Sequence, residues 1–232
     1  MKKKKIFLII VFVIVLFCIV FGITNQINKQ PKSANEIFNE NLNSIVEVKA
    51  YKESIGESYG TAVCIKNDGT FVTNAHVVTY TQSGETFEFD NFYIRFGFEN
   101  DYREISLLKY DIEKDIAVLK IDERVPIKAI STNKKKLKFG DKVYAIGNGS
   151  NYGLAITQGI ISMPEVNIEY DGKVRNVIQC DITISAGNSG GALLDKNGKL
   201  VGITTFRTKD NLGNVVYGIA YSISINTILT YI

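Results

Sequence analysis

"GNSGGALLDKNGKLVGI", Gly187–Ile203, sets one serine, Ser189, among glycines and follows it with two apolar runs around Asn197-Gly198. A glycine-rich turn feeding a hairpin accounts for it blandly. A nucleophile held out on a tight turn accounts for it chemically. The two readings demand different company elsewhere in the chain.

The hairpin device recurs outward from this stretch. "GTAVCIKNDGTFVTN" reads as strand, Asp68-Gly69 turn, strand, and "VNIEYDGKVRNVIQ" repeats it at Asp171-Gly172; Asp-Gly between apolar runs favours the positive φ angles of a tight hairpin. "SIVEVKAY" alternates apolar and polar residues, which predicts a half-buried strand. Only the region Ala34 to Leu42 and the final "SINTILTYI" read as helical. Many short strands without interleaved helices predict an all-β sandwich or barrel. Residues 122 to 140 hold Pro126 and the run Lys134–Lys136 with weak periodicity, and read as the connection between two β units. The divisions are then 1–5, 6–23, 24–40, 41–125 and 126–232, each of the last two long enough for a small barrel core.

The chain has 232 residues, 45% hydrophobic and 22% charged, a globular composition. Its net charge of +3 includes Lys2–Lys5, so the body offers no electrostatic case for nucleic acid. With a single histidine and no Cys-x-x-Cys, a zinc site is not expected, and no cofactor is implied. Cys64 and Cys180 lie in strand-like runs, and whether they are bridged is left open.

"MKKKK" precedes "IFLIIVFVIVLFCIVFGI", residues 6 to 23, which carry no charge. At about 1.5 Å per residue such a helix nearly spans a hydrocarbon core of about 30 Å. The lysines put residues 1–5 in the cytoplasm. The reading is an uncleaved signal anchor holding residues 24–40 as a tether and the body outside the cytoplasm. A cleaved signal peptide releasing a secreted protein is the competing reading; the run is long and no A-x-A-like site follows.

Gly187, Ser189 and Gly191 match G-x-S-x-G, the nucleophile elbow of α/β-hydrolases. That elbow needs a following helix and a histidine downstream. Here a hairpin follows, and His76 lies upstream. The order His, Asp, Ser stays available. His76, in "FVTNAHVV", would take the serine's proton, and a buried carboxylate would orient it. Asp90, Asp101, Asp111, Asp115, Asp122, Asp141, Asp171 and Asp181 lie between the two. Asp115 opens the apolar run "IAVLKI" and stands first; Asp181, also opening a strand, stands second. The amides of Gly187 and Ser189 are the natural oxyanion donors.

"TNAHVV", "DIAVLKI" and "GNSGGALLD" resemble the catalytic segments of chymotrypsin-like serine proteases, most of all the HtrA/Deg branch. "AIGNGSNYGLAITQGIIS", "LVGITT" and "YGIAYSIS" resemble further segments of that branch, in order, from about residue 44 onward. The resemblance implies two six-stranded β-barrels with the site between them. It makes His76 the base, Asp115 its orienting acid and Ser189 the nucleophile, with Gly187 sharing the oxyanion hole. It also implies Thr183 and Thr204 as specificity-pocket residues, polypeptide substrates, and leaves a homotrimer open. Ala186 stands where the family usually has proline, and the chain is expected to lack the PDZ domains common in the branch. "GNGSNYG", Gly147–Gly153, reads as a turn between strands of the second barrel. A protease-like fold that binds or holds peptides without cutting them is the alternative from another functional class.

Overall fold

The computed structural model describes residues 2–27, 31–97, 99–122, 125, 127–209 and 212–232. It forms two compact units, residues 1–32 and 33–232. Pro126, read above as part of the connection and as the start of the second barrel, lies outside the described residues.

The first unit is one helix, α1 (Lys2–Ile27). It is long and apolar enough to cross a membrane.

The second unit begins with α2 (Ala34–Asn41). Ser33 caps it: its Oγ accepts from the Glu36 N–H while the Glu36 carboxylate accepts from the Ser33 N–H. This reciprocal pairing satisfies donors that every helix start leaves open. Strands β1 (Ile45–Lys52), β2 (Gly56–Lys66) and β3 (Thr70–Thr73) follow, then the one-turn α3 (Ala75–Val78). Next come β4 (Thr79–Gln82) and β5 (Glu85–Glu88), a separate hairpin. Strands β6 (Asn91–Phe96), β7 (Arg103–Glu104), β8 (Ser106–Asp111) and β9 (Ile116–Lys120) complete the first sheet, in the order β7-β6-β1-β2-β3-β9-β8. Seven strands therefore stand here where six were expected, because the chain pairs the short β7 beside β6.

The remaining strands are β10 (Lys142–Gly147), β11 (Ala155–Tyr170), β12 (Lys173–Cys180), β13 (Ala192–Asp195), β14 (Leu200–Lys209) and β15 (Val215–Ser224). They close as a barrel in the order β10-β11-β12-β15-β14-β13. Helix α4 (Ile225–Tyr231), capped by Ser224, ends the chain.

The turn chemistry explains the hairpins. Tyr170 pairs with Lys173 across Asp171 (φ 50°) and Gly172 (φ 70°), a two-residue turn with both φ values positive. Around Asp68-Gly69 the loop is one residue longer, since Lys66 pairs with Thr70.

Period-two alternation sorts the core. In β10, Val143 and Ala145 point into the barrel with Ile161, Ile178 and Leu193. Tyr144 and Ile146 point the other way, joining Ile45, Val63 and Ile116 of the first sheet. β1 departs from the half-buried expectation for this reason. Val46, Val48 and Ala50 fill the first sheet's own core, and Ile45 enters the cluster shared with the barrel. Glu47, on that same second face, is only 1% exposed. Each buried isoleucine or leucine at this seam contributes about 1.5–3 kcal/mol, so the two bodies pack as one. Cys64 and Cys180 are free thiols, each buried in a different core.

Candidate active site

β3 delivers His76 on the single turn of α3, with its side chain half exposed. Asp115 ends the turn between β8 and β9 with φ 56°, a left-handed conformation that Asp tolerates better than most residues. Its own carbonyl accepts from Asn74 Nδ2 at 2.9 Å, tying this turn to the residue just ahead of α3. Asp115 is 4% exposed. Its Oδ1 accepts the His76 backbone N–H at 3.1 Å, and its two oxygens lie 3.0 and 2.9 Å from His76 Nδ1. An ionised carboxylate only accepts, so Nδ1 carries the proton and Nε2 keeps its lone pair. Thr205 Oγ1, from β14, donates to Asp115 Oδ2 at 2.6 Å.

These contacts set the titration of the pair. Burial pulls the His76 pKa down, but the Asp115 charge and hydrogen bond outweigh it and hold it above its ordinary value. Burial pushes the Asp115 carboxyl up, and the His76 charge with the hydrogen bonds from His76 and Thr205 brings it below the usual carboxylate value.

Ser189 sits on the turn between β12 and β13. Its Oγ donates to the Thr205 carbonyl at 2.9 Å. Ser189, His76 and Asp115 line one open cavity of about 300 Å³, together with Ile184, Phe206 and Val215. The tip of the β11–β12 hairpin reaches its rim, where the Tyr170 ring stacks on Phe206 at 4.0 Å. Arg175 on the same hairpin donates to the carbonyls of Ile112, Glu113 and Tyr170, tying the barrel to the segment that leads into Asp115.

The glycines around Ser189 answer to close backbone approach. Gly190 has φ 81°, and a Cβ there would lie 2.1 Å from the Thr61 carbonyl oxygen and 2.2 Å from Thr73 Oγ1. Gly187 has φ 93°, and its Cβ would lie 2.2 Å from the Asn148 carbonyl oxygen. Only glycine fits such positions without displacing main chain. The Gly147–Gly153 stretch is a turn between β10 and β11, and its Asn148 is in addition a wall of the serine turn.

The remaining predicted residues fall elsewhere. Thr183 is exposed, and its carbonyl accepts from Thr157 Oγ1. Thr204 is 1% exposed beneath the serine turn, where its hydroxyl donates to the Asn188 carbonyl. Neither lines the cavity beside Ser189. Alternation along β14 turns Thr204 under the loop and brings its neighbour Thr205 to Asp115. Thr205, Tyr170 and Arg175 were not singled out from sequence; the segment "LVGITT" was the one signal that covered Thr205.

A sheet and a closed barrel flanking a Ser, a His and a buried Asp define the chymotrypsin-like class of serine protease domains. A profile of the trypsin-like peptidase domain matches residues 60–203, and the chain belongs to that family. It is 34% identical over 175 residues to the serine endoprotease DegS of Haemophilus influenzae, covering 72% of this chain and 47% of the relative. It is 30% identical over 204 residues to the serine protease Do-like HtrA of Lactobacillus helveticus, covering 85% and 47%. The solved structure of the HtrA-type protease AlgW with tripeptide superposes with a TM-score of 0.71 at 28% identity, covering 86% of this chain and 62% of that one. The chain spans about half the length of the curated relatives it matches.

Proposed function

We propose that this protein is a membrane-anchored, extracytoplasmic serine endopeptidase that cuts unfolded or exposed polypeptide segments. The observation that carries the reading is the buried Asp115 carboxylate holding His76 by ring and backbone, with Ser189 on the same cavity. Ser189 Oγ leaves the Thr205 carbonyl by rotating about χ1 and turns toward His76 Nε2. It attacks the substrate carbonyl carbon while Nε2 takes its proton. The N–H groups of Gly187 and Ser189 receive the oxyanion; among the described residues neither donates to an acceptor within the chain. The C–N bond then breaks, His76 returns the proton to the leaving amine, and water hydrolyses the acyl-enzyme by the same steps. Asp115 stabilises the imidazolium. Helix α1 would serve as the anchor, with Lys2–Lys5 on the cytoplasmic side.

The test is a fluorophosphonate probe on the purified full chain. Wild type is expected to label at Ser189 and to cleave casein, and Ser189→Ala to do neither while keeping its fold. Undiminished casein cleavage by Ser189→Ala overturns the proposal.

A further inference from the structure

The two expected oxyanion donors sit on a turn of the barrel, yet part of what orients one of them, the Gly187 N–H, comes from the first sheet. A trans peptide is planar, so an N–H points opposite the carbonyl of the preceding residue. The Gly187 N–H is therefore aimed by the Ala186 carbonyl, which accepts from the Ser150 N–H at 2.7 Å. The other side of Gly187 is fixed by its own carbonyl, which accepts from Thr61 Oγ1 at 2.8 Å. Thr61 Oγ1 in turn accepts the Asn148 N–H at 2.9 Å. The first restraint comes from the loop containing Asn148 and Ser150, and the second is bonded to that loop through the Asn148 N–H.

Asn148 is fully buried and holds that loop at two points. Its Oδ1 accepts the Gly153 N–H at 2.9 Å, closing the loop on itself. Its Nδ2 donates to Glu47 Oε2 at 2.7 Å. Arg95 Nη2 donates to the same Glu47 oxygen at 2.7 Å. Glu47 is 1% exposed on β1, in a different body from the turn it governs. A buried carboxylate costs free energy unless charged or polar partners satisfy it, and an apolar residue would fill that face of β1 without the cost.

We infer that Glu47 is a positioning residue for the oxyanion hole, acting through Asn148 and the Ser150–Ala186 and Thr61–Gly187 hydrogen bonds on the Gly187 N–H. The inference rests on the proposed serine mechanism. It accounts for a buried charge in a strand that otherwise reads as core. It also makes the alignment of the Gly187 donor depend on contact between the two bodies.

The experiment uses the full chain in detergent micelles, with kcat and KM on a fluorogenic peptide and the second-order rate of fluorophosphonate labelling. Glu47→Leu leaves Arg95, itself partly exposed, able to turn to solvent. It is expected to lower kcat and the labelling rate about 10- to 100-fold, approaching the loss of one oxyanion donor, with KM within about threefold. Glu47→Gln still offers an oxygen to Asn148 and is expected to recover most of that loss. Asn148→Ala should match Glu47→Leu, and the double variant should lose no more than either. If Glu47→Leu does not fold, Asn148→Ala and Glu47→Gln carry the comparison. Wild-type kcat in a folded Glu47→Leu or Asn148→Ala, a loss confined to KM, or fully multiplicative losses in the double variant overturns the inference. Failure of wild type itself to label would instead overturn the serine mechanism on which it rests.

Discussion

Replacing Thr205 by valine keeps the shape and β-branching of a buried strand residue and deletes one hydroxyl. In the proposed mechanism that hydroxyl matters because Asp115 has few donors: the His76 ring, the His76 backbone N–H, and Thr205 Oγ1 at 2.6 Å. Hydrogen bonds to charged groups contribute about 1.5–3 kcal/mol. At about 1.36 kcal/mol per tenfold in rate, full expression in the transition state would slow turnover about 10- to 150-fold. His76 remains bound to the carboxylate by two contacts, so the lower part of that range is expected. The deleted hydroxyl is bonded to Asp115, so kcat should fall and KM stay nearly unchanged. Thr205→Ser, which restores the donor, should recover most of the rate. Steady-state kinetics on a fluorogenic peptide reads all of this. Unchanged kcat in Thr205→Val, or a loss lying wholly in KM, refutes the reasoning.

Because the Asp115 charge holds the His76 pKa above its ordinary value, kcat/KM should fall as pH drops through a midpoint above about 6.5; a midpoint below about 6, or no acid limb, contradicts the assigned base. The sign for stability is opposite: the pairing stabilises the fold fully below the unfolded histidine pKa and loses that contribution as pH rises through the folded value. For the proposed topology, protease added to intact cells or spheroplasts should digest the body, and alkaline carbonate should leave it in the membrane; intact body found only in the medium would favour a cleaved signal. Ile184, Phe206 and Val215 line the cavity beside Ser189 together with Asp171, Arg175 and Arg207; if the apolar members receive the residue before the cut, cuts mapped by mass spectrometry in a denatured protein should follow small or medium apolar residues. A dominant preference for cutting after Lys, Arg or Glu would refute that assignment.

Local features were the legible ones. The positive φ angles at Asp171 and Gly172 are demanded within two residues, so the turn could be read there directly. His76 and Ser189 stood out because one is the lone histidine and the other is ringed by glycine. Pattern alone puts Asp115 only one rank ahead of Asp181, since both open strands; what sets Asp115 beside His76 is a turn that packs against α3, 39 residues back in sequence. Thr205 meets Asp115 across 90 residues, and threonine in a strand announces nothing. Thr204, expected at the specificity pocket, is next to Thr205 in the strand and so faces the other way, under the serine turn. β1 looked half-buried because its polar residue was taken to face water. The surface that covers Glu47 comes from residues about a hundred positions later, which no local window contains.

The two buried cysteines bear on how such a fold could mature. Burial pushes the Cys64 thiol up to about 11 and the Cys180 thiol up to about 12. Since the thiolate is the reactive form, each is nearly inert in the native state at neutral pH. They also lie in separate cores, so the folded chain cannot pair them. A secreted or surface domain often depends on an oxidising compartment to staple it. In this one all three cysteines are free thiols. It would therefore reach the same native state with or without an oxidant, and dithiothreitol should leave its melting temperature where it was.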